Sequence, residues 1–150
     1  MLIATRSGKI NISKEKDTKL VAERLCKFIN LGDFILLTGN LGVGKTTFIK
    51  YIINSLQRKN RQEISEVPSP TFNITNEYQI KKILIKHYDL YRIKNEKELN
   101  NLGIQENLKK QITLVEWPEI IKKLKIKTVS YTHLRAHETP EHLVCRLLLE

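Results

Sequence analysis

The chain has 150 residues, of which 41% are hydrophobic and 28% charged, and its formal net charge is +10. That is the size of one domain with a real core, and no apolar run approaches a membrane-spanning length. The N-terminus lacks a signal-peptide core and the two cysteines lie far apart, so a membrane protein or a disulfide scaffold is set aside and a reducing cytoplasm is expected.

Ile10-Asn11-Ile12 alternates, which predicts a first strand. Ser13 or Asp17 is positioned to cap the following helix, whose core side would carry Leu20, Val21, Leu25, Phe28 and Ile29, with Cys26 as a small buried hydrophobe. After a Gly32-Asp33 turn, Phe34-Ile35-Leu36-Leu37-Thr38 is short and almost wholly apolar, the pattern of a buried strand. Gly39-Asn40-Leu41-Gly42-Val43-Gly44-Lys45-Thr46-Thr47 then matches G-x-x-x-x-G-K-[ST], and Phe48, Ile49, Ile52, Ile53 and Leu56 recur at helical spacing. Strand, glycine loop and helix in that order form the context a phosphate-binding loop requires.

The residue types follow from the ligand. A triphosphate needs many donors at close range, and a loop poor in side chains lets successive backbone N–H groups converge on it. Lys45 is placed to bridge the outer phosphates, Thr46 to ligate Mg²⁺, and Thr47 to donate its backbone N–H, with the positive end of the helix dipole behind them.

Residues 57–66 are polar and expected to be exposed. In Val67-Pro68-Ser69-Pro70-Thr71-Phe72 two prolines stiffen the backbone where many phosphate-loop proteins sense the terminal phosphate, so Thr71 reads either as that sensor or as the residue that starts a strand after a rigid connector. Residues 73–80 and 83–88 favour strand and are separated only by Lys81-Lys82, which predicts an antiparallel hairpin. It ends in His87-Tyr88-Asp89-Leu90-Tyr91-Arg92, where Asp89 is either a site carboxylate or half of a surface ion pair.

Asn95-Glu96-Lys97-Glu98 has the form of a capping box, and Gly103 can end the helix it starts. A second short helix is expected over 105–109, then a buried strand, Ile112-Thr113-Leu114-Val115-Glu116, that ends in an acid. Phosphate-loop enzymes set such a carboxylate beside the loop to hold Mg²⁺ directly or through water. Trp117 beside Pro118 would cover the site or a partner surface, or simply join the core. Ile120, Ile121 and Leu124 suggest a last short helix, and residues 124–126 the start of another strand.

Composition breaks after Thr128: the first 128 residues are rich in Lys, Ile and Asn, whereas Val129–Glu150 contains none of the three and holds three of the four histidines. Val129–Glu150 resembles the conceptual translation of a sequencing-library adapter. Residues 1–128 are therefore taken as a C-terminally truncated domain and residues 129–150 as a non-native tail, and His133, His137, His142 and Cys145 are rejected as a zinc site.

Gly39–Thr47, Ser69-Pro70-Thr71-Phe72 with Asn76-Glu77-Tyr78, His87–Arg92, Leu102-Gly103-Ile104 and Val115-Glu116-Trp117-Pro118-Glu119 together resemble the bacterial TsaE (YjeE-type) P-loop ATPase family, from about Ile10 to Ile126. The resemblance implies a three-layer α/β/α fold with a mainly parallel central sheet plus an antiparallel hairpin. It also implies a cytoplasmic ATPase that needs ATP and Mg²⁺ and helps TsaB and TsaD modify adenosine 37 of tRNA, with tRNA met through the complex and no membrane or DNA partner. Carried across, the nucleotide loop falls on Gly39–Thr47, with Mg²⁺ ligands Thr46 and Glu116, switch-like Thr71, Asp89, and Trp117 near the nucleotide; Asn40 stands where the family usually has aspartate. Lys45, Asp89, Glu116 and Thr71 are the expected catalytic set, with hydrolysis slow until a partner completes the site. The alternatives are a small-molecule kinase, for which no arginine-rich lid is evident between Leu56 and Leu114, and a non-catalytic nucleotide-gated binding module.

Overall fold

The computed structural model describes residues 8–12, 14–123, 129–135 and 142–148. Strand β1 (Gly8–Asn11) leads into helix α1 (Glu15–Leu25), strand β2 (Phe34–Thr38) and helix α2 (Lys45–Lys59). The hairpin β3 (Thr75–Ile80) and β4 (Ile83–Asp89) follows, then α3 (Glu96–Asn101), β5 (Gln111–Glu116), β6 (Val129–Arg135) and β7 (His142–Leu148). Two 3-10 turns, Leu108–Lys110 and Pro118–Lys123, flank β5.

The seven strands among the described residues join one sheet in the order β1-β7-β6-β2-β5-β4-β3. Its centre is parallel: β2 runs with β5 and β6, and β5 with β4. The antiparallel pairs lie outside, β3 on β4 at one edge and β7 on β6 at the other, with β1 on β7. The parallel strands therefore deliver their carboxyl ends to one rim of the sheet, where a doubly wound α/β protein binds its ligand.

Side chains on β2 alternate between two cores, as a strand period of two demands. Ile35 and Leu37 face α1 and α2 with Ala22, Leu25, Phe48, Ile49, Ile52, Ile53, Leu56, Ile85 and Leu114. Phe34 and Leu36 face the opposite side with Tyr88, Leu90, Leu99, Ile104, Val115 and Ile121. Burial on both faces explains why β2 is a continuous apolar run. The five apolar positions of α2 predicted to face the core are all buried.

Elsewhere the structure departs from the pattern. On α1, Leu20 is 46% exposed because the helix seats Thr18, Ala22 and Leu25 against its neighbours, and Phe28, expected on the same helix, lies in the turn after it, 37% exposed. No side chain caps α1, whose N-cap is Lys14; the expected cap Asp17 lies in its first turn, and Ser13 lies outside the described residues. Gln57 is buried rather than exposed, its amide donating to Ser65 Oγ at 2.8 Å. The helix expected over 105–109 is the 3-10 turn Leu108–Lys110, and the strand expected over 124–126 lies outside the described residues. The forward half of the capping box is present, Asn95 Oδ1 accepting from Glu98 N at 2.9 Å, while the Glu98 carboxylate accepts from Lys94 N at 3.1 Å and from the Asn95 side-chain amide at 2.8 Å.

Candidate functional site

The site lies where β2, β4 and β5 end on the same rim. Past Thr38 the chain turns through Gly39 (φ 145°), Gly42 (φ 75°) and Gly44 (φ 99°). A Cβ at Gly42 or Gly44 would meet nothing within 4 Å, so these glycines are required by left-handed backbone and not by crowding. Helix α2 begins at Lys45 without a side-chain cap, and the bond from Phe48 N to Gly44 O at 2.9 Å opens its ladder. The first-turn amides thus have no intrahelical acceptor, which suits a bound anion.

Lys45 is almost wholly buried, its Nζ donating to Gly39 O and Asn40 O, both at 2.8 Å. The same ammonium sits 3.8 Å from the centre of the Trp117 ring, which in turn meets Tyr91 at a centroid distance of 4.9 Å. Burial lowers the Lys45 pKa from its ordinary value, opposed by the negative charges of Glu116, Asp89 and Glu119. Trp117 is held at φ 56°, a costly conformation for a bulky residue, and this kink turns the indole back over the loop.

Residues two apart on a strand share a face, so Ile85, His87 and Asp89 on β4 project to the α2 side with Ile112, Leu114 and Glu116 on β5. Parallel register sets Asp89 directly beside Glu116. The buried Glu116 carboxylate accepts from Thr46 Oγ1, 2.9 Å from Oε1 and 3.1 Å from Oε2, and Oε1 also lies 2.8 Å from His87 Nε2. Two ligand oxygens on an octahedron of about 2.1 Å radius stand about 3 Å apart, so Thr46 and Glu116 already have the spacing of neighbouring Mg²⁺ ligands. Among the described residues no group of three His, Cys, Asp or Glu side chains is gathered for a metal.

Asp89 caps the other side. Its Oδ2 accepts from Thr71 Oγ1 at 3.1 Å and its Oδ1 from Tyr91 N at 3.0 Å, while Ser69 Oγ lies 2.7 Å from Thr71 Oγ1. Backbone bonds from Asp89 N to Ile74 O at 2.8 Å and from Leu90 N to Glu116 O at 3.1 Å tie this segment to the strand ends.

The structure therefore gathers Lys45, Thr46, Glu116 and Trp117 around the loop and pairs Thr71 with Asp89 beside them. Leu41 is 82% exposed and points its side chain away, leaving only backbone to offer; Asn40 is likewise exposed. Two features went unread in the sequence. One is His87 on Glu116, signalled only by the His-x-Asp spacing at a strand end. The other is a hollow of about 310 Å³ next to the loop, lined by Ile12, Glu15 and Thr18 with Gly42, Val43, Gly44 and Thr47.

Comparison with known proteins converges on one family. A family profile described as "Threonylcarbamoyl adenosine biosynthesis protein TsaE" matches residues 12–144. The chain is 36% identical over 132 residues to the tRNA threonylcarbamoyladenosine biosynthesis protein TsaE of Rickettsia conorii, covering 88% of this chain and 73% of that one. The protein of the same name from Aquifex aeolicus is 37% identical over 108 residues, covering 72% and 74%. In fold, the chain matches the crystal structure of YdiB from Bacillus subtilis with a TM-score of 0.73 at 24% identity, covering 95% of this chain and 87% of that one. With a rim of parallel strand ends carrying an uncapped glycine loop and a profile match along most of its length, the chain belongs to the TsaE family of tRNA threonylcarbamoyladenosine biosynthesis.

Proposed function

We propose that this chain is the ATP-binding and ATP-hydrolysing component of the machinery that makes N6-threonylcarbamoyladenosine at position 37 of tRNA, acting in the cytoplasm with TsaB and TsaD. The observation that carries it is the direct contact of Thr46 with Glu116 beside the uncapped start of α2. The nucleotide machinery belongs to residues 1–128, and the described strands β6 and β7 pair into the sheet beside it.

The amides at the start of α2 and along Gly39–Thr47 bind the phosphates, and the hollow lined by Ile12, Glu15 and Thr18 takes the nucleoside end. Lys45 exchanges the carbonyls of Gly39 and Asn40 for phosphate oxygens, a better partner for a buried ammonium. Thr46 and Glu116 hold Mg²⁺, which when bound supplies a positive charge against the phosphoryl oxygens. Asp89, fixed by Thr71 and Tyr91 N, orients the attacking water and receives its proton. Arg92, three residues after Asp89, is exposed, so charge stabilisation is left to a group that a partner supplies in trans and turnover alone is slow.

The test is ADP release from ATP by the wild type and Lys45→Ala, with and without TsaB and TsaD. Release that rises with the partners and vanishes in Lys45→Ala is expected. Equal release from both chains overturns the assignment, and transfer of phosphate to an added nucleoside or sugar would make the chain a kinase.

A further inference from the structure

His87 is fully buried, and its two ring nitrogens have unequal surroundings. Nε2 lies 2.8 Å from Glu116 Oε1, whereas Nδ1 is buried with no hydrogen-bond partner among the described residues. A carboxylate only accepts, so the tautomer that satisfies this geometry carries its proton on Nε2 and leaves a lone pair on Nδ1. The opposite tautomer would set a lone pair against the carboxylate and strand a buried N–H, which is the more costly orphan.

Glu116 gains a second donor by this arrangement. Thr46 Oγ1 reaches both carboxylate oxygens from the loop side, and His87 pins Oε1 from beneath. Without the ring, one rotating hydroxyl among the described residues would remain to hold the carboxylate, and the charge of Lys45, which already feels Glu116, would compete for it. His87 has no exposed surface with which to touch a nucleotide, so it acts through Glu116.

We propose that His87 is a positioning residue: its Nε2–H locks the Glu116 carboxylate in the orientation that presents it, together with Thr46, to the nucleotide-bound divalent cation. The assignment rests on the nucleotide and Mg²⁺ reading given above. Partners that orient a ligand from behind typically change metal affinity by about 10–100-fold when removed.

The experiment titrates a non-hydrolysable ATP analogue by calorimetry, with Mg²⁺ and with EDTA, into the full chain and into His87→Leu and His87→Gln. His87→Leu fills the space without a donor, and His87→Gln restores an amide N–H at comparable reach. His87→Leu is expected to need roughly 10- to 100-fold more Mg²⁺ for half-maximal binding, with EDTA-state affinity unchanged, and His87→Gln to recover most of that loss. Ring ¹⁵N shifts of the wild type, assigned by the signal lost in His87→Gln, are expected to show the Nε2–H tautomer, and this measurement decides the matter if His87→Leu does not fold. An unchanged Mg²⁺ requirement in His87→Leu, equal losses with and without Mg²⁺, no recovery in His87→Gln, or the Nδ1–H tautomer would each overturn the role of His87. Wild-type binding indifferent to Mg²⁺ would instead overturn the nucleotide and metal reading beneath it.

Discussion

The Thr46 hydroxyl reaches the Glu116 carboxylate at 2.9 Å across 70 positions of chain. Their meeting depends on β2 and β5 being adjacent and in register, so that Leu37, the residue before Thr38, lies beside Glu116. Removing the acid should therefore disturb the cation more than the phosphate cradle. In Glu116→Ala, calorimetry is expected to show the Mg²⁺-dependent gain in nucleotide affinity falling roughly 10- to 100-fold while EDTA-state affinity stays put. Equal losses in the two conditions would reduce Glu116 to a structural acid.

The role proposed for Asp89 belongs to a different stage. Thr71 and Tyr91 N occupy its two oxygens, and the side chain is buried beside Glu116 without contacting the glycine loop through any of these bonds. Asp89→Asn is expected to lower partner-stimulated ATP turnover by about 10²–10⁴-fold, the usual range for a displaced general base, with little change in nucleotide Kd. A matching loss of affinity would show that Asp89 only braces the fold.

Trp117 is the single tryptophan, and its ring carries the Lys45 ammonium at 3.8 Å. Withdrawal of that charge toward phosphate should change the indole emission. Steady-state fluorescence is expected to shift when nucleotide is added, and Lys45→Met is expected to alter the apo spectrum and abolish the response. An identical response in Lys45→Met would separate the ring from the lysine.

Two buried groups weaken the fold in alkali. Burial pushes the Cys26 thiol from 9.0 up to about 12, and burial pushes the Tyr88 phenol from 10.0 up to about 12. Each folded-state pKa lies above its unfolded value, so the folded chain keeps protons that the unfolded chain gives up. The stabilisation is complete below pH 9 and is lost as pH rises through about 12. Calorimetric Tm should fall steadily from pH 9 to 11, and iodoacetamide at pH 8 should label Cys26, by mass spectrometry, only after unfolding. Prompt labelling of Cys26 in the native chain would contradict its burial.

Local pattern carried much of this architecture. The apolar run of β2, the glycine loop and the core face of α2 could be read because each depends on neighbours within a turn or two. The hairpin was legible from its flanks, although its Lys81-Lys82 turn contains a residue at φ 51° that no glycine announces. Leu20 misled because α1 rotates to pack Ala22 and Leu25, a choice made by α2 and not by α1 itself, and Phe28 because the helix ends at Leu25, before reaching it. The Thr46 and Glu116 pairing was inferred from chemistry before geometry showed the contact. His87 escaped because its importance is a matter of register: only parallel pairing of β4 with β5 carries Glu116 onto its ring.

The order of strands also bears on how the chain is made. Leu36 on β2 is flanked in register by Val115 and Tyr131, so the strand that launches the glycine loop finds neither hydrogen-bonded neighbour until the ribosome has translated far into the second half of the message. Such long-range closure slows folding. Throughout that interval the loop sequence exists without its pocket, and a nascent chain stalled before β5 should be blind to nucleotide however faithfully its first sixty codons were read.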